Sequence, residues 1–128
     1  MSKVAIAEDD SDIRQLLEFV LQNAGFEVVS AGDGKRGLDI ILRERPEVAI
    51  LDVAMPGMSG FEVCHAAKQL LGPRAPYVIM LTAKGQATDK SAGLAHGADL
   101  YLIKPVDMYK LIDHVTKAIG GTPATNKE

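Results

Sequence analysis

Five short apolar runs, separated by stretches of helical periodicity, limit what this chain can fold into more than any other feature. They fall at 4–7, 26–31, 48–52, 77–82 and 99–103. The run Val48-Ala49-Ile50-Leu51 has no polar alternation and reads as a strand buried on both faces. The second run alternates weakly, as a strand near a sheet edge does. Between the runs lie helices. The first is capped by Asp10 or Ser11, turns Ile13, Leu16, Leu17, Val20, Leu21 and Ala24 to one face, and stops at Gly25. The second spans 35–44 with Leu38, Ile41 and Leu42 inward, and Arg45-Pro46-Glu47 ends it. The third spans 60–71, with Phe61, Val63, Cys64, Ala67, Leu70 and Leu71 mostly buried. The fourth, 86–96, has a poor apolar face interrupted by Gly93 and is expected to be the least tightly held. Asp107 caps the last, whose apolar positions run from Met108 to Ile119 before Gly120-Gly121. Strands alternating with helices, joined by right-handed crossovers, give an α/β fold with a doubly wound parallel sheet.

The length suits one domain, expected over 1–120, with 121–128 a polar, flexible tail. Acids outnumber bases, 17 to 14, so nothing in the charge supports a nucleic-acid surface. The single Cys64 excludes an internal disulfide and a cysteine-based zinc cluster. No apolar run approaches the roughly 18 residues of a membrane span, and Met1-Ser2-Lys3 begins no signal-peptide pattern. A cytoplasmic protein without a membrane partner is expected.

In a parallel sheet all strands end on one edge, where such folds bind ligands. The first strand ends in Glu8-Asp9-Asp10, the third in Asp52, the fourth in Thr82, and the fifth in Lys104. Taken singly these have ordinary explanations: Asp52 can serve loop N–H groups, Thr82 can be a strand residue, and Lys104 can extend into solvent. Gathered on one edge they form a pocket. Two carboxylates about 4 Å apart repel by on the order of 4 kcal/mol at an effective dielectric near 20. An all-oxygen site of this kind favours Mg²⁺ or Mn²⁺. A carboxylate nucleophile, a metal, an ammonium and a hydroxyl are the parts of phosphoryl chemistry. His65, His96 and His114 fall on three helices away from this edge and read as surface or boundary residues. Cys64 reads as a small buried residue, and Met55, Met58 and Met80 as packing.

Glu8-Asp9-Asp10, Asp52 followed by Met55-Pro56-Gly57 and Gly60, Thr82-Ala83, and Lys104-Pro105 together resemble the receiver domain of two-component response regulators. The resemblance covers roughly residues 3–119. It implies a flavodoxin-like strand order 2-1-3-4-5 in three α/β/α layers. It further implies that Asp52 accepts a phosphoryl group from a phosphohistidine on a sensor histidine kinase or a histidine phosphotransfer protein, which docks near the first helix. Arg14, five residues after Asp9, aligns Glu8 and Asp9 as the metal pair, with Asp9 a direct ligand and Glu8 acting through water. The backbone carbonyl of Ala54 completes the protein ligands, and Asp10 is left to cap the helix. Thr82 and the Ala83 N–H would hold phosphoryl oxygens, and Lys104 would pair with the group. The Lys104–Pro105 peptide is expected to be cis.

The same resemblance makes Thr82 and Tyr101 the switch residues. The output surface would be the fourth predicted helix, the fifth strand and the last helix, facing a downstream protein of unknown identity. Ala54 and Lys84 occupy positions that tune hydrolysis of the acyl phosphate. The resemblance implies a monomer or a weak phosphorylation-dependent dimer, and self-phosphorylation without enzymatic turnover. No output domain is expected after Gly120, which suits a stand-alone receiver or a piece of a longer regulator. A dehalogenase-like phosphatase would need an acid at position 54, where this chain has Ala54. A flavodoxin would need a Ser/Thr/Gly phosphate loop where this chain has Glu8-Asp9-Asp10. A degenerate receiver used only for docking would lack one or more of these residues.

Overall fold

The computed structural model describes residues 2–83 and 97–120. The elements are β1 (Lys3–Ala7), α1 (Ser11–Asn23), β2 (Glu27–Ala31), α2 (Gly34–Glu44), β3 (Val48–Asp52), α3 (Gly60–Leu71), a 3₁₀ turn (Gly72–Arg74), β4 (Tyr77–Thr82), β5 (Leu100–Ile103) and α4 (Met108–Ala118). The helix expected over 86–96, with Lys84 and His96, lies outside the described residues, as does the tail 121–128. All strand pairs are parallel, in the order β2-β1-β3-β4-β5. This is the doubly wound, flavodoxin-like arrangement expected. Among the described residues no helix is long and apolar enough to cross a membrane.

The strand pattern divides the core into two layers. Val4, Ile6, Val48, Ile50, Ile79 and Leu81 face one side, where Leu17 and Leu21 of α1 and Leu111 and Val115 of α4 meet them. Ala5, Ala7, Ala49, Leu51, Val78 and Met80 face the other, against Ile41 of α2 and Val63, Cys64 and Ala67 of α3. All five residues of β3 are buried because helices cover both of its faces. Burying a Leu or Ile stabilises by about 1.5–3 kcal/mol, so these two layers are the main source of stability. Small side chains on the second face let α2 come close. A Cβ built on Gly37 would lie 2.8 Å from the Ala7 Cβ.

Three residues assigned to inward faces lie outside. Leu16 is 48% and Leu70 64% exposed, and Ala24 is exposed at the end of α1. Leu16 and Leu70 are turned about 100° from Leu17 and Leu71, at the flank of each helix's apolar stripe, and the sheet does not reach them. The helix starts match expectation better. The Asp10 side chain accepts from the N–H groups of Asp12 and Ile13, at 2.9 and 3.2 Å, and so caps α1. Asp107 caps α4 in the same way. Ser59 and Glu62 form a reciprocal capping box at the start of α3.

Candidate functional site

The register brings the strand ends together. Ala7 pairs with Leu51, Asp52 with Leu81, and Thr82 with Ile103. Glu8, Asp52, Thr82 and Lys104 therefore emerge on one edge. The Glu8 N–H donates to the Ala31 carbonyl at 3.1 Å, and the Lys104 N–H to the Thr82 carbonyl at 2.8 Å. These bonds prolong the sheet by one residue and fix where both side chains leave it. The Asp52 loop is held by Val53 N–H to the Leu81 carbonyl, 2.9 Å, and by Gly60 N–H to the Val53 carbonyl, 3.0 Å.

Lys104 Nζ stands 3.2 Å from Glu8 Oε1 and 3.2 Å from Asp52 Oδ1. Glu8 and Thr82 are fully buried and Asp52 is 4% exposed, whereas Asp9 is exposed. Carboxylate oxygens of Glu8, Asp9 and Asp52 all lie within 4.8 Å of one another. Glu8 Oε2 accepts the Asp10 N–H at 3.1 Å, but among the described residues Oε1 has no hydrogen-bond partner. Its ion pair with Lys104 is close without being aligned for a bond. Among the described residues three carboxylates thus gather near one ammonium, and a buried carboxylate oxygen is left without a donor. That oxygen-only donor set fits a hard divalent cation such as Mg²⁺ or Mn²⁺.

Burial drives the Glu8 carboxyl up to about 7 from an ordinary 4.5, and the Asp52 charge adds to the rise, while the Asp10 N–H and Lys104 oppose it. Burial works against the Lys104 charge as well, but Asp52 and then Glu8 outweigh it and hold the ammonium above its usual range. The Glu8 shift has a signed consequence. Its folded value lies above its unfolded one, so the protein is favoured below about pH 4.5 and loses that contribution as pH rises through about 7. In chelator, the stability of Glu8→Gln relative to wild type is therefore expected to rise between pH 5 and pH 8. Denaturant unfolding at the two pH values measures it; a pH-independent difference would show that Glu8 takes up no proton.

The Thr82 hydroxyl donates to the Ala83 carbonyl at 3.3 Å. Ala83 and Ala54 are exposed at the mouth. The Lys104–Pro105 peptide is cis. Tyr101 is half-buried, with its ring 6.3 Å from that of Phe61 and inclined by 23°. His65 is exposed and His114 half-buried. Cys64 is fully buried, and burial pushes its thiol up to about 11, far from nucleophilic use. Met55 and Met80 are buried and Met58 is half-buried.

Sequence reasoning missed two features beside the site. One is an apolar groove of about 510 Å³ lined by Ile13, Leu16, Ala83, Pro105, Val106 and Met108, with Lys104 at its wall. Its signal was an apolar stripe on the first helix wider than one sheet can cover. The other is a bond of 2.7 Å from Arg14 Nη1 to the Glu8 carbonyl. Arg14 was used only to align the acids.

A flavodoxin-like sheet with acids after its first and third strands, a hydroxyl after its fourth and a lysine after its fifth defines a class of carboxylate-centred α/β domains. A family model described as the response regulator receiver domain matches residues 4–116. The chain belongs to that family. Solved structures agree. The chemotaxis protein CheY4 of Vibrio cholerae is 35% identical with a TM-score of 0.85, over 92% of this chain and 98% of that one. A response regulator receiver domain protein of Clostridium thermocellum is 31% identical with a TM-score of 0.87, over 94% and 95%. The receiver domain of Francisella response regulator 1452 is 29% identical with a TM-score of 0.85, over 94% and 98%.

Proposed function

We propose that Asp52 is the phosphoacceptor of a receiver domain served by a histidine kinase or a histidine phosphotransfer protein. The observation that supports this best is the nearly buried Asp52 carboxylate held 3.2 Å from the Lys104 ammonium, inside a group of three acids. An Asp52 carboxylate oxygen attacks phosphorus, a P–O bond forms, and the P–N bond of the phosphohistidine breaks. The electron pair leaves with the imidazole. Lys104, already placed against Oδ1, neutralises charge on the transferred group, and the Thr82 hydroxyl turns from the Ala83 carbonyl to a phosphoryl oxygen, beside the Ala83 N–H. Glu8, Asp9, Asp52 and the Ala54 carbonyl would hold Mg²⁺ or Mn²⁺, Asp9 directly and Glu8 through water. Such an ion supplies charge neutralisation to the phosphoryl oxygens when bound. Ala54 offers no general acid, so the step ends as a single turnover with slow hydrolysis rather than as enzymatic catalysis.

The phosphoryl group brings a charge of about −1.5 to −2 and three acceptor oxygens. Its pull on Thr82 and Lys104 biases the surface of β5, α4 and the helix expected over 86–96. Tyr101 turns further inward in this state. Fluorescence quenching of the tyrosines in a Tyr109→Phe background, with and without beryllofluoride, measures it; equal accessibility in both states counts against the switch. The groove beside Lys104 suits the apolar face of a donor helix, with Leu16 and Met108 at its lining.

Incubation with Mg²⁺ and acetyl phosphate is expected to add one phosphoryl group, about 80 Da by intact mass, and chelation to prevent it. An unmodified protein with both acetyl phosphate and a competent phosphohistidine donor would remove this function.

A further inference from the structure

Three of the five arginines of this acidic chain line a single cleft of about 380 Å³ whose lining does not include Asp52. It lies against β2, the strand at the open edge of the sheet, and is lined by Arg14, Ser30, Gly32, Arg36, Ile40 and Arg43. Arg14 is half-buried and pinned: Nη1 donates to the Glu8 carbonyl at 2.7 Å. The guanidinium lies over Gly32 so closely that a Cβ there would come within 3.1 Å of Nη1. Among the described residues Arg14 forms no ion pair. A half-buried guanidinium with no counterion among the described residues can receive an anion from outside.

Acids are also present. Asp39 is in the wall, and the Glu18 carboxylate accepts the Ser30 hydroxyl. Arg36 and Arg43 pair with Asp33 and Glu44, at 3.6 and 3.2 Å, both through Nε. Their Nη atoms make no hydrogen bond to the described residues, and exposed pairs of this kind exchange at little cost. Arg36 and Arg43 are seven positions apart on α2, which separates them by about 10 Å along the axis. That spacing of their stems suits a phosphoanhydride chain better than a single phosphate.

We propose that this cleft is a second anion site, which takes a small molecule carrying a chain of two or more phosphates. Arg14 is its fixed post, and Arg36 and Arg43 close over the ligand. The recognition is of the phosphoanhydride chain, whether inorganic or part of a nucleotide.

The test is amide NMR titration of the whole chain with inorganic tripolyphosphate and, separately, with adenosine triphosphate. Chelator is present throughout, so that the acidic site recruits no phosphate through a metal. Shifts at Ser30, Gly32 and Ile40 are expected. Arg14→Gln should weaken binding tenfold or more. Because that change also touches the Glu8 loop, the double variant Arg36→Gln with Arg43→Gln, both on exposed side chains, should do the same. Tighter binding of the nucleotide assigns the base a part, and equal binding assigns the phosphate chain alone. Three results overturn the site: equal shifts with sulfate at matched ionic strength, unchanged affinity in the double variant, or shifts confined to Thr82 and Lys104. Tighter binding of a pentaglutamate peptide at the same amides overturns it in favour of an acidic protein segment.

Discussion

Asp52→Asn is expected to stay at its unmodified mass after treatment with Mg²⁺ and acetyl phosphate, under conditions where the parent is expected to gain one phosphoryl group. The substitution keeps the volume of the side chain but replaces an anionic oxygen nucleophile with a neutral amide. Nothing in the packing suffers. It also removes one of three acids gathered within 4.8 Å. The repulsion that helps to raise Glu8 is relieved, although Lys104 loses one of its two partners. Unfolding in chelator at pH 8 is therefore expected to show a variant at least as stable as the parent. The two readouts separate two roles. Loss of phosphorylation with retained stability marks Asp52 as a functional acid. Loss of both would show that it holds the fold, and a mass gain in the variant would move the acceptor elsewhere, with Asp9 the first candidate.

Gly60→Ala is expected to lower stability by about 2–3 kcal/mol, in the range for overpacking a close contact, and to slow phosphoryl uptake in step. Gly60 opens α3 directly against Asp52. A Cβ there would sit 2.3 Å from the Asp52 carbonyl oxygen and 3.0 Å from Met80 Sδ. Met80 is fully buried and Asp52 closes a fully buried strand, so neither can yield cheaply. Helix α3 must retreat, and its retreat breaks the Gly60 N–H bond to the Val53 carbonyl that holds the Asp52 loop. Gly25→Ala is the contrast. Its φ of 102° strains any side chain, but no atom lies within 4 Å of the added Cβ. A loss from Gly25→Ala should therefore leave phosphorylation untouched. If Gly60→Ala unfolds at the parent's denaturant midpoint, the close approach of α3 is not what positions Asp52.

Much of this was legible without coordinates. The apolar runs specified the strands because a strand covered on both faces must be continuously hydrophobic. Asp10 and Asp107 announced helix starts because short polar side chains satisfy first-turn N–H groups; the Ser59 cap of α3 emerged only from the structure. Burial of individual helix positions was less legible. Leu16 and Leu17 are adjacent and chemically identical, yet one is 48% exposed and the other fully buried. Only the placement of the sheet decides between them.

By itself the sequence determined the alternating α/β plan, the edge on which Glu8, Asp9, Asp52, Thr82 and Lys104 emerge, and the oxygen-only chemistry of that edge. Those follow from local pattern and from the rule that parallel strands all end on one side. The tertiary structure alone decided the rest. It set the 3.2 Å placement of Lys104 between two acids, the burial that lifts Glu8, the glycine contacts that bring α2 and α3 against β1 and Asp52, and the meeting of Arg14 with Arg36 and Arg43. Each depends on atoms far apart in the chain, and a carboxylate's proton affinity answers to what surrounds it, not to what precedes it.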